Sequence, residues 1–463
     1  MIRASLFLLA TFAMALAGCG GEFTSQPVTG TPPPPSPVDV SVPAQAVTKV
    51  RTEGKVTAFL QERLVSIFEQ GPQRTLEIFD ADGHTTHAWQ APAGWSVVDF
   101  AVHPSGRISA VLTTLRDVRI VQLNASGVLL ADQGFIDALA PADPYFDFNG
   151  GVHDDTSMQP ALMRDAARVV PLGESLGLVL RTGRNAVVAY RFDPDPNGGY
   201  QQRWRTLVEP GATMFALGLA SGSFDVFGQD ENHLRVFVDV DATGTMAVAV
   251  VGNAGLNYTF LAHLSQFGDA LVGERGVLLT RLAGNDGRRL GSTAVNTQVL
   301  TELHGLRATP RGFALTGRVL SAVNQDGSGW DAFSALVARD GTLEAYHVLD
   351  FDRGDVLFDI APLSNGEYLA LGATGYLENP SGLSITEVTQ PLLAHLKADG
   401  TKLERLDFAG GARQNQLRSI TRLNDRWLLG GLTNGPGTHS GDTQRNLIFA
   451  DGFLRQPPGL PGD

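Results

Sequence analysis

The chain has 463 residues, of which 43% are hydrophobic and 18% are charged, and this composition is typical of a globular protein that can bury a core. The formal net charge of −13 excludes nucleic acid as a partner, because phosphate backbones are bound by basic surfaces. It also argues against adhesion to anionic lipid surfaces. Cys19 is the only cysteine, so disulfides within the chain are excluded.

The N-terminal residues have the features of a bacterial export signal. Arg3 supplies a positive charge, and the mostly apolar run over residues 4–17 is too short to cross ~30 Å of hydrocarbon as a helix. The sequence Leu16-Ala17-Gly18-Cys19 resembles the lipobox of bacterial lipoproteins, which implies cleavage before Cys19 and lipidation of that residue. An ordinary secretory signal that carries a chance cysteine is the alternative.

The resemblance also implies a location. In Gram-negative lipoproteins, a residue other than Asp after the cysteine, here Gly20, is typical of the outer membrane. We therefore expect a cell-envelope protein whose only membrane contact is its N-terminal lipid. Lipidation would remove the one thiol, and with it thiol catalysis and cysteine-ligated zinc.

The sequence divides into four parts. Residues 1–18 are the predicted signal peptide, and residues 19–45 are a proline-rich tether with almost no apolar residues to bury. The folded domain is expected over residues 46–455, and a proline-rich tail covers residues 456–463.

Short strands separated by glycine turns dominate the folded part, most clearly over residues 356–408. The pattern predicts strands over 356–363, 367–374, 391–398 and 401–408, with turns at Ser364-Asn365-Gly366 and Asp399-Gly400. Four strands joined in this way form an antiparallel meander.

The same unit recurs along the chain, with spacings of 55 and 59 residues between the matching glycines Gly317, Gly372 and Gly431. A lone meander exposes an apolar face and two edges, whereas radial stacking of such sheets buries the faces. We therefore predict an all-β fold, a β-propeller, with seven four-stranded blades that start near residues 46, 98, 166, 234, 300, 356 and 414.

Two alternatives remain open from the sequence. Eight blades are conceivable because residues 258–291 contain two hairpin-like segments, and an array of β-sandwiches is the competing fold. The last blade lacks an outermost strand before the proline-rich tail, and we expect the N-terminal strand over 47–59 to complete it and close the ring. The blades resemble the degenerate repeats of secreted bacterial propellers and lack the signatures of the Trp-Asp, kelch, sialidase and quinoprotein families.

Motifs that suggest chemistry are weak. Gly173-Glu174-Ser175-Leu176-Gly177 fits a hydrolase pattern, but its flanks are strand-like, which predicts a hairpin turn instead of a nucleophile elbow. Asp80-Ala81-Asp82-Gly83 and Asp193-Pro194-Asp195 are fragments of calcium loops, and Asp is equally typical of turns. We assign no catalytic residue, no metal and no cofactor.

One connection, residues 136–165, is much longer than blade connections usually are. It carries aromatic, acidic and imidazole side chains that are the candidate binding residues: Tyr145, Phe146, Phe148, His153, Asp154 and Asp155. Long loops on a rigid scaffold often carry binding residues. The plainer interpretation, which the residue types favour, is a solvated loop whose aromatic residues pin it to the propeller.

Two hypotheses on function follow. The first is a monomeric, non-enzymatic envelope lipoprotein whose propeller binds a protein, peptide or glycan. The second is an envelope lyase or hydrolase with its site at the axial mouth of the propeller. β-Propellers are known both as binding modules and as enzymes. The sequence favours binding because no set of nucleophile, base or metal ligands can be recognised in it.

We expect Cys19→Ser to abolish lipidation, because only the cysteine thiol accepts the diacylglyceryl group. Incorporation of radiolabelled fatty acid measures this directly. A domain that starts at residue 44 should be soluble and folded, since the tether has nothing to bury. An unlabelled wild type, or a labelled Cys19→Ser protein, would rule out the lipoprotein assignment.

Overall fold

The structure is a computed structural model that describes residues 50–449, apart from 61–62, 71–72, 81–83, 115–116, 136–166, 182–186, 210–235, 253–275, 297–300, 321–329, 352–353, 376–389, 408–414, 424–425 and 434–443. The described residues form 27 β-strands and no helix. Accordingly, none of them belongs to a helix that would be long and apolar enough to span a membrane.

The first three sheets each contain four strands in chain order. Blade 1 consists of β1 (Val50–Phe59), β2 (Arg63–Gln70), β3 (Gln73–Phe79) and β4 (Thr85–Gln90). Blade 2 consists of β5 (Ser96–Val102), β6 (Ile108–Thr113), β7 (Val118–Leu123) and β8 (Leu129–Gly134). Blade 3 consists of β9 (Ala167–Leu172), β10 (Ser175–Arg181), β11 (Val187–Pro194) and β12 (Tyr200–Glu209).

The remaining sheets follow the same order along the chain. Blade 4 consists of β13 (Val236–Val240), β14 (Thr245–Gly252), β15 (Gly276–Ala283) and β16 (Arg289–Asn296). Blade 5 consists of β17 (Thr301–Thr309), β18 (Gly312–Leu320), β19 (Trp330–Ala338) and β20 (Leu343–Leu349). Blade 6 consists of β21 (Val356–Pro362), β22 (Tyr368–Thr374), β23 (Gln390–Leu396) and β24 (Lys402–Asp407). The last sheet consists of β25 (Asn415–Leu423), β26 (Arg426–Thr433) and β27 (Gln444–Phe449).

All the strand pairs are antiparallel, and the first strands of successive sheets pack against one another, as in a β-propeller. The predicted all-β propeller is confirmed, and so is the four-stranded unit over residues 356–408. The predicted number of blades is wrong: six blades have four strands, and the described part of the last sheet has three. Eight blades are excluded too, because β15 and β16, which fall at the end of the suspected extra region, belong to blade 4.

The predicted role of the N-terminal strand is also wrong within the described residues. β1 is the inner strand of blade 1, where it pairs with β2, and it does not add a strand to the last sheet. The misassignment arose because an isolated strand at the start of the chain has the same pattern in either role. β1 instead packs against β25, and the Ala58 N–H lies 3.4 Å from the Thr421 hydroxyl.

The hydrophobic core is divided among the junctions between sheets. Six clusters of buried side chains lie at the six junctions from blade 1 to the last sheet, and each cluster takes residues from two neighbouring sheets. Blades 2 to 6 each contribute to two clusters and are therefore covered on both faces, which explains why a strand such as β6 is buried along its whole length. Burial of each large aliphatic side chain contributes about 1.5–3 kcal/mol.

Acidic residues that resembled calcium ligands cap hairpin turns instead. The Asp195 carboxylate accepts the Asn197 N–H at 2.7 Å, and the Asp80 carboxylate accepts the His84 N–H at 2.8 Å. The Asp195 contact is that of an Asx turn, in which the side chain replaces a backbone acceptor, whereas the Asp80 contact spans the whole turn between β3 and β4.

Two carboxylates on inner strands link three blades each. Asp99, on β5, accepts the Phe100 N–H, the Val169 N–H of blade 3 and the Lys55 ammonium of blade 1 at 2.7–2.8 Å. Asp359, on β21, accepts the Ile360 N–H and the Ile420 N–H of the last sheet, both at 2.9 Å. It also binds the Arg307 guanidinium of blade 5 through two contacts of 2.7 Å. Each carboxylate directly follows a bulge in its strand, which turns it towards the neighbouring blade.

We expect Asp359→Ala to lower the free energy of unfolding by about 3 kcal/mol, because it leaves Arg307 and two backbone N–H groups without their acceptor. Urea unfolding measures the loss. The matched control is Glu344→Ala, which removes the partner of Arg311 at a more exposed pair and should cost less than about 1 kcal/mol. Equal losses in the two variants would refute a linking role for Asp359.

Candidate functional site

A cavity of about 890 Å³ opens on the side of the propeller where first strands turn into second strands. We call this side the cavity face, and the opposite side the far face. The lining comes from turns and strand ends of the first four blades: 57–60, 102–104, 171–173, 240–245 and 283–285, with Arg191 and Leu290. A volume of this size lies within the range of pockets that bind small molecules or peptide side chains.

Two leucines at the cavity leave apolar surface in contact with solvent. Leu60, at the tip of the β1–β2 hairpin, is 49% exposed, and Leu290, on β16, is 37% exposed. Leu60 has φ = +47° and is the one non-glycine residue with positive φ in the described part of the chain. This conformation is unfavourable for a residue with a large side chain, and such strain tends to concentrate at functional sites.

Leu60 packs against Gly106, in the neighbouring turn of blade 2. Gly106 has φ = +81°, and a Cβ placed on it would lie 2.6 Å from Leu60 Cδ1. The Leu60 side chain therefore lies across the backbone of Gly106, whose positive φ favours glycine at this turn. The strained hairpin tip is thus held against blade 2 while part of the leucine stays exposed.

Arg191 forms the polar wall between blades 3 and 4. Its guanidinium donates to Asp193 at 2.7 Å, to the Ser175 hydroxyl at 3.1 Å and to the Gly284 carbonyl at 2.8 Å. Ser175 is the first residue of β10, after a hairpin turn, and its hydroxyl donates to Asp193 at 2.7 Å. The predicted hairpin is confirmed, and this serine has the geometry of a structural hydrogen bond.

His103 joins the turns of blades 2 and 3 in a buried cluster. Nδ1 lies 2.9 Å from the Gly173 carbonyl, which fixes the proton on Nδ1, since a carbonyl only accepts. Nε2 lies 2.8 Å from the Ser109 hydroxyl and 3.1 Å from the Tyr200 hydroxyl. Burial lowers the pKa of His103 and keeps the ring neutral. Ser109 is fully buried, so this serine–histidine pair is closed to a substrate.

Asp239 is a third carboxylate on an inner strand, and it directly precedes Val240 of the cavity lining. One oxygen accepts the Val240 N–H at 2.9 Å, and the other accepts the Ala308 N–H of blade 5 at 2.7 Å. Burial raises the pKa of Asp239, although the positive charges of Arg307 and Lys55 act in the opposite direction.

The binding residues suggested by the sequence, Tyr145, Phe146, Phe148, His153, Asp154 and Asp155, lie outside the described residues, as does Cys19. Their role stays a prediction. The strand that follows their segment, β9, runs from Ala167 to the cavity face at Leu172, so it starts at the far face. The cavity is lined by other residues, which the sequence analysis missed because they were recognised only as turns.

One group of carboxylates in the described part is close enough to share a cation. Oxygens of Asp331, Asp350 and Asp355 lie within 4.8 Å of one another at the junction of blades 5 and 6. The Asp355 carboxylate accepts the Phe351 N–H at 2.6 Å and so also stabilises its own turn. Three carboxylates alone fall short of the six to eight oxygens that calcium takes.

No protein-family model matches the chain, and no curated protein matches it in sequence. Among solved structures, a protein from Lactobacillus plantarum is 10% identical with a TM-score of 0.45, and the match covers 84% of this chain and 98% of that one. The Dos1 propeller is 9% identical with a TM-score of 0.44 and 83% coverage of both chains. A prolyl endopeptidase is 10% identical with a TM-score of 0.43, over 82% of this chain and 45% of that one. Similarity at this level says nothing about activity, and the propeller assignment rests on the strand topology.

We expect acid to destabilise the protein partly through His103. Unfolded histidine takes up a proton near pH 6.5, whereas the folded ring resists protonation, so this contribution to stability is present above about pH 6.5 and lost below it. Urea unfolding at about pH 7.5 and about pH 5.5 measures the loss, which should be smaller in His103→Gln.

The matched control for this experiment is His84→Gln, since His84 is an exposed histidine beside Asp80. That variant should keep the wild-type pH dependence. The same pH dependence in His103→Gln as in the wild type would show that the buried imidazole does not contribute.

Proposed function

We propose that this protein is a lipid-anchored binding module of the bacterial cell envelope, and that its cavity captures an apolar segment of a partner peptide or protein. The observation that carries the proposal is the exposed, strained Leu60 beside a cavity of about 890 Å³. The lipid anchor rests on the sequence Leu16-Ala17-Gly18-Cys19. Leucines exposed at a concave site offer apolar surface that a partner's aliphatic side chain can bury.

A peptide suits the cavity better than a glycan. Sugar rings are usually held by stacking on exposed aromatic rings, and among the described lining residues the one Phe, Tyr or Trp is Phe59, which is buried. The lining instead offers aliphatic side chains, prolines and backbone groups of turns, which complement an extended peptide with an aliphatic side chain.

The same geometry supports binding over catalysis. Ser109 lies beside the base His103 but is fully buried. Ser175, in the hydrolase-like motif, donates its hydroxyl to Asp193. A hydrolase needs a nucleophile that its substrate can reach. Neither of these hydroxyl groups meets that requirement.

We expect Leu60→Asn to weaken peptide binding about tenfold, or by ~1.4 kcal/mol, without a loss of stability, because Asn tolerates positive φ. The ligand would be a peptide enriched from a random display library on the wild-type protein. Its affinity for each variant would be measured by fluorescence anisotropy.

The control for this change is Leu129→Asn, at a leucine on the outer strand β8 that is exposed to a similar extent. Its affinity for the enriched peptide should equal that of the wild type. Failure to enrich any peptide, or an unchanged affinity in Leu60→Asn, would count against the cavity as the binding site.

A further inference from the structure

In the ion pair between Asp359 and Arg307, all four hydrogen-bond acceptor positions of an inner-strand carboxylate are occupied. Each carboxylate oxygen accepts one backbone N–H, from Ile360 or Ile420. Each oxygen also accepts one N–H of the guanidinium, from Nε or Nη2 of Arg307, at 2.7 Å. Two backbone donors and a two-pronged guanidinium thus fill the four acceptor positions of one carboxylate.

Asp239 has the first half of this arrangement. Its two oxygens accept the Val240 and Ala308 N–H groups, one each, which leaves one acceptor position on each oxygen. Within the described residues, no side-chain cation forms a hydrogen bond or ion pair with it. Lys55 and Arg307 lie near enough to act on its pKa, but they are paired with Asp99 and Asp359.

Among the described residues, blade 3 differs from blade 5 at the place that corresponds to Arg307. Arg307 stands two residues before the last pair of its hairpin, Thr309 with Gly312. The same place in blade 3, two residues before the pair of Leu172 with Ser175, is occupied by Val170, which is buried in the core between blades 3 and 4. Blade 3 therefore contributes an apolar residue where blade 5 contributes a guanidinium.

Asp239 is also nearer to the cavity than its two counterparts. Asp99 and Asp359 stand four residues before the first residue of their turns, His103 and Leu363, whereas Asp239 stands two before Asp241. Two strand residues correspond to about 7 Å. Asp239 is less buried than Asp99 and Asp359, which as whole residues are only 2% and 6% exposed.

We propose that Asp239 binds the guanidinium of an arginine side chain that the partner peptide inserts through the cavity, in the two-pronged geometry that Arg307 adopts on Asp359. This inference rests on the proposed function and names the chemical group that the site selects. A metal ion fits poorly, because two backbone N–H dipoles point at the carboxylate and no second carboxylate is adjacent in the described structure.

The test compares two short probes that differ only in charge: capped alanyl-arginyl-alanine and its citrulline analogue. Calorimetric titration of the wild-type domain should show at least tenfold tighter binding of the arginine probe. Asp239→Asn should remove that preference. Glu174→Gln should keep it, because Glu174 is a carboxylate of the same face that is already bound by Ser105.

A second measurement needs no variant. Burial raises the pKa of Asp239 and a bound guanidinium favours the charged carboxylate, so binding should release protons over the pH range in which Asp239 titrates. Titrations in two buffers with different ionisation enthalpies detect the release. This readout decides the question if Asp239→Asn does not fold.

Three outcomes would overturn the inference: equal binding of the two probes by the wild type, a preference that survives in Asp239→Asn, or binding without proton release. These outcomes are separate from failure of the proposed function. If Leu60→Asn weakens the enriched library peptide while the probes bind equally, the cavity is the binding site and only the guanidinium assignment is wrong.

Discussion

The blades of this propeller depend on their neighbours, because blades 2 to 6 each bury both faces against the sheets beside them. The six apolar clusters lie between blades, so no blade has a core of its own. This arrangement requires apolar residues on both sides of the middle strands, as in β6 and β22, and leaves polar residues to strand ends, turns and the axis. A site for a ligand therefore has to be built from turns and from the inner strands.

Three carboxylates on inner strands show which polar contacts can form near the axis. Asp99 and Asp359 satisfy backbone N–H groups of the next blade and are neutralised by a cation of the preceding one. Asp239 keeps the first contact, and within the described residues no side-chain cation pairs with it. Burial disfavours its charged form, and it lies beside a cavity whose rim holds a strained leucine. Local departures from the rules of stable folding are expected at functional sites.

The repeat unit was predictable because its signal is local. Strand alternation and glycine turns placed the four strands over residues 356–408, and the positive φ of Gly366 and Gly400 shows why those turns need glycine. The number of four-stranded blades and the pairing of β1 were not predictable in this way. They depend on which strand edges pair in the folded protein. The sequences of inner and outer edge strands are too similar to tell.

The candidate site was harder to find from the sequence, for a related reason. Leu60 and Leu290 are 230 residues apart, and only the ring brings their turns to one cavity. Asp239 receives a backbone N–H from Ala308, which lies 69 residues further along the chain. Neither relation has a sequence pattern. The composition of the long connection at 136–165 can be read from the sequence, whereas the convergence of distant turns at one cavity cannot.

The direction of β1 determines where the chain enters the described part of the propeller. β1 runs from Val50 to Phe59, and Phe59 lies at the cavity, so Val50 lies at the far face. The β1–β2 turn, with Leu60 at its tip, therefore belongs to the cavity face, whereas β1 begins at the opposite face. A segment bound in the cavity would thus contact the turns of the first four blades and not the start of β1.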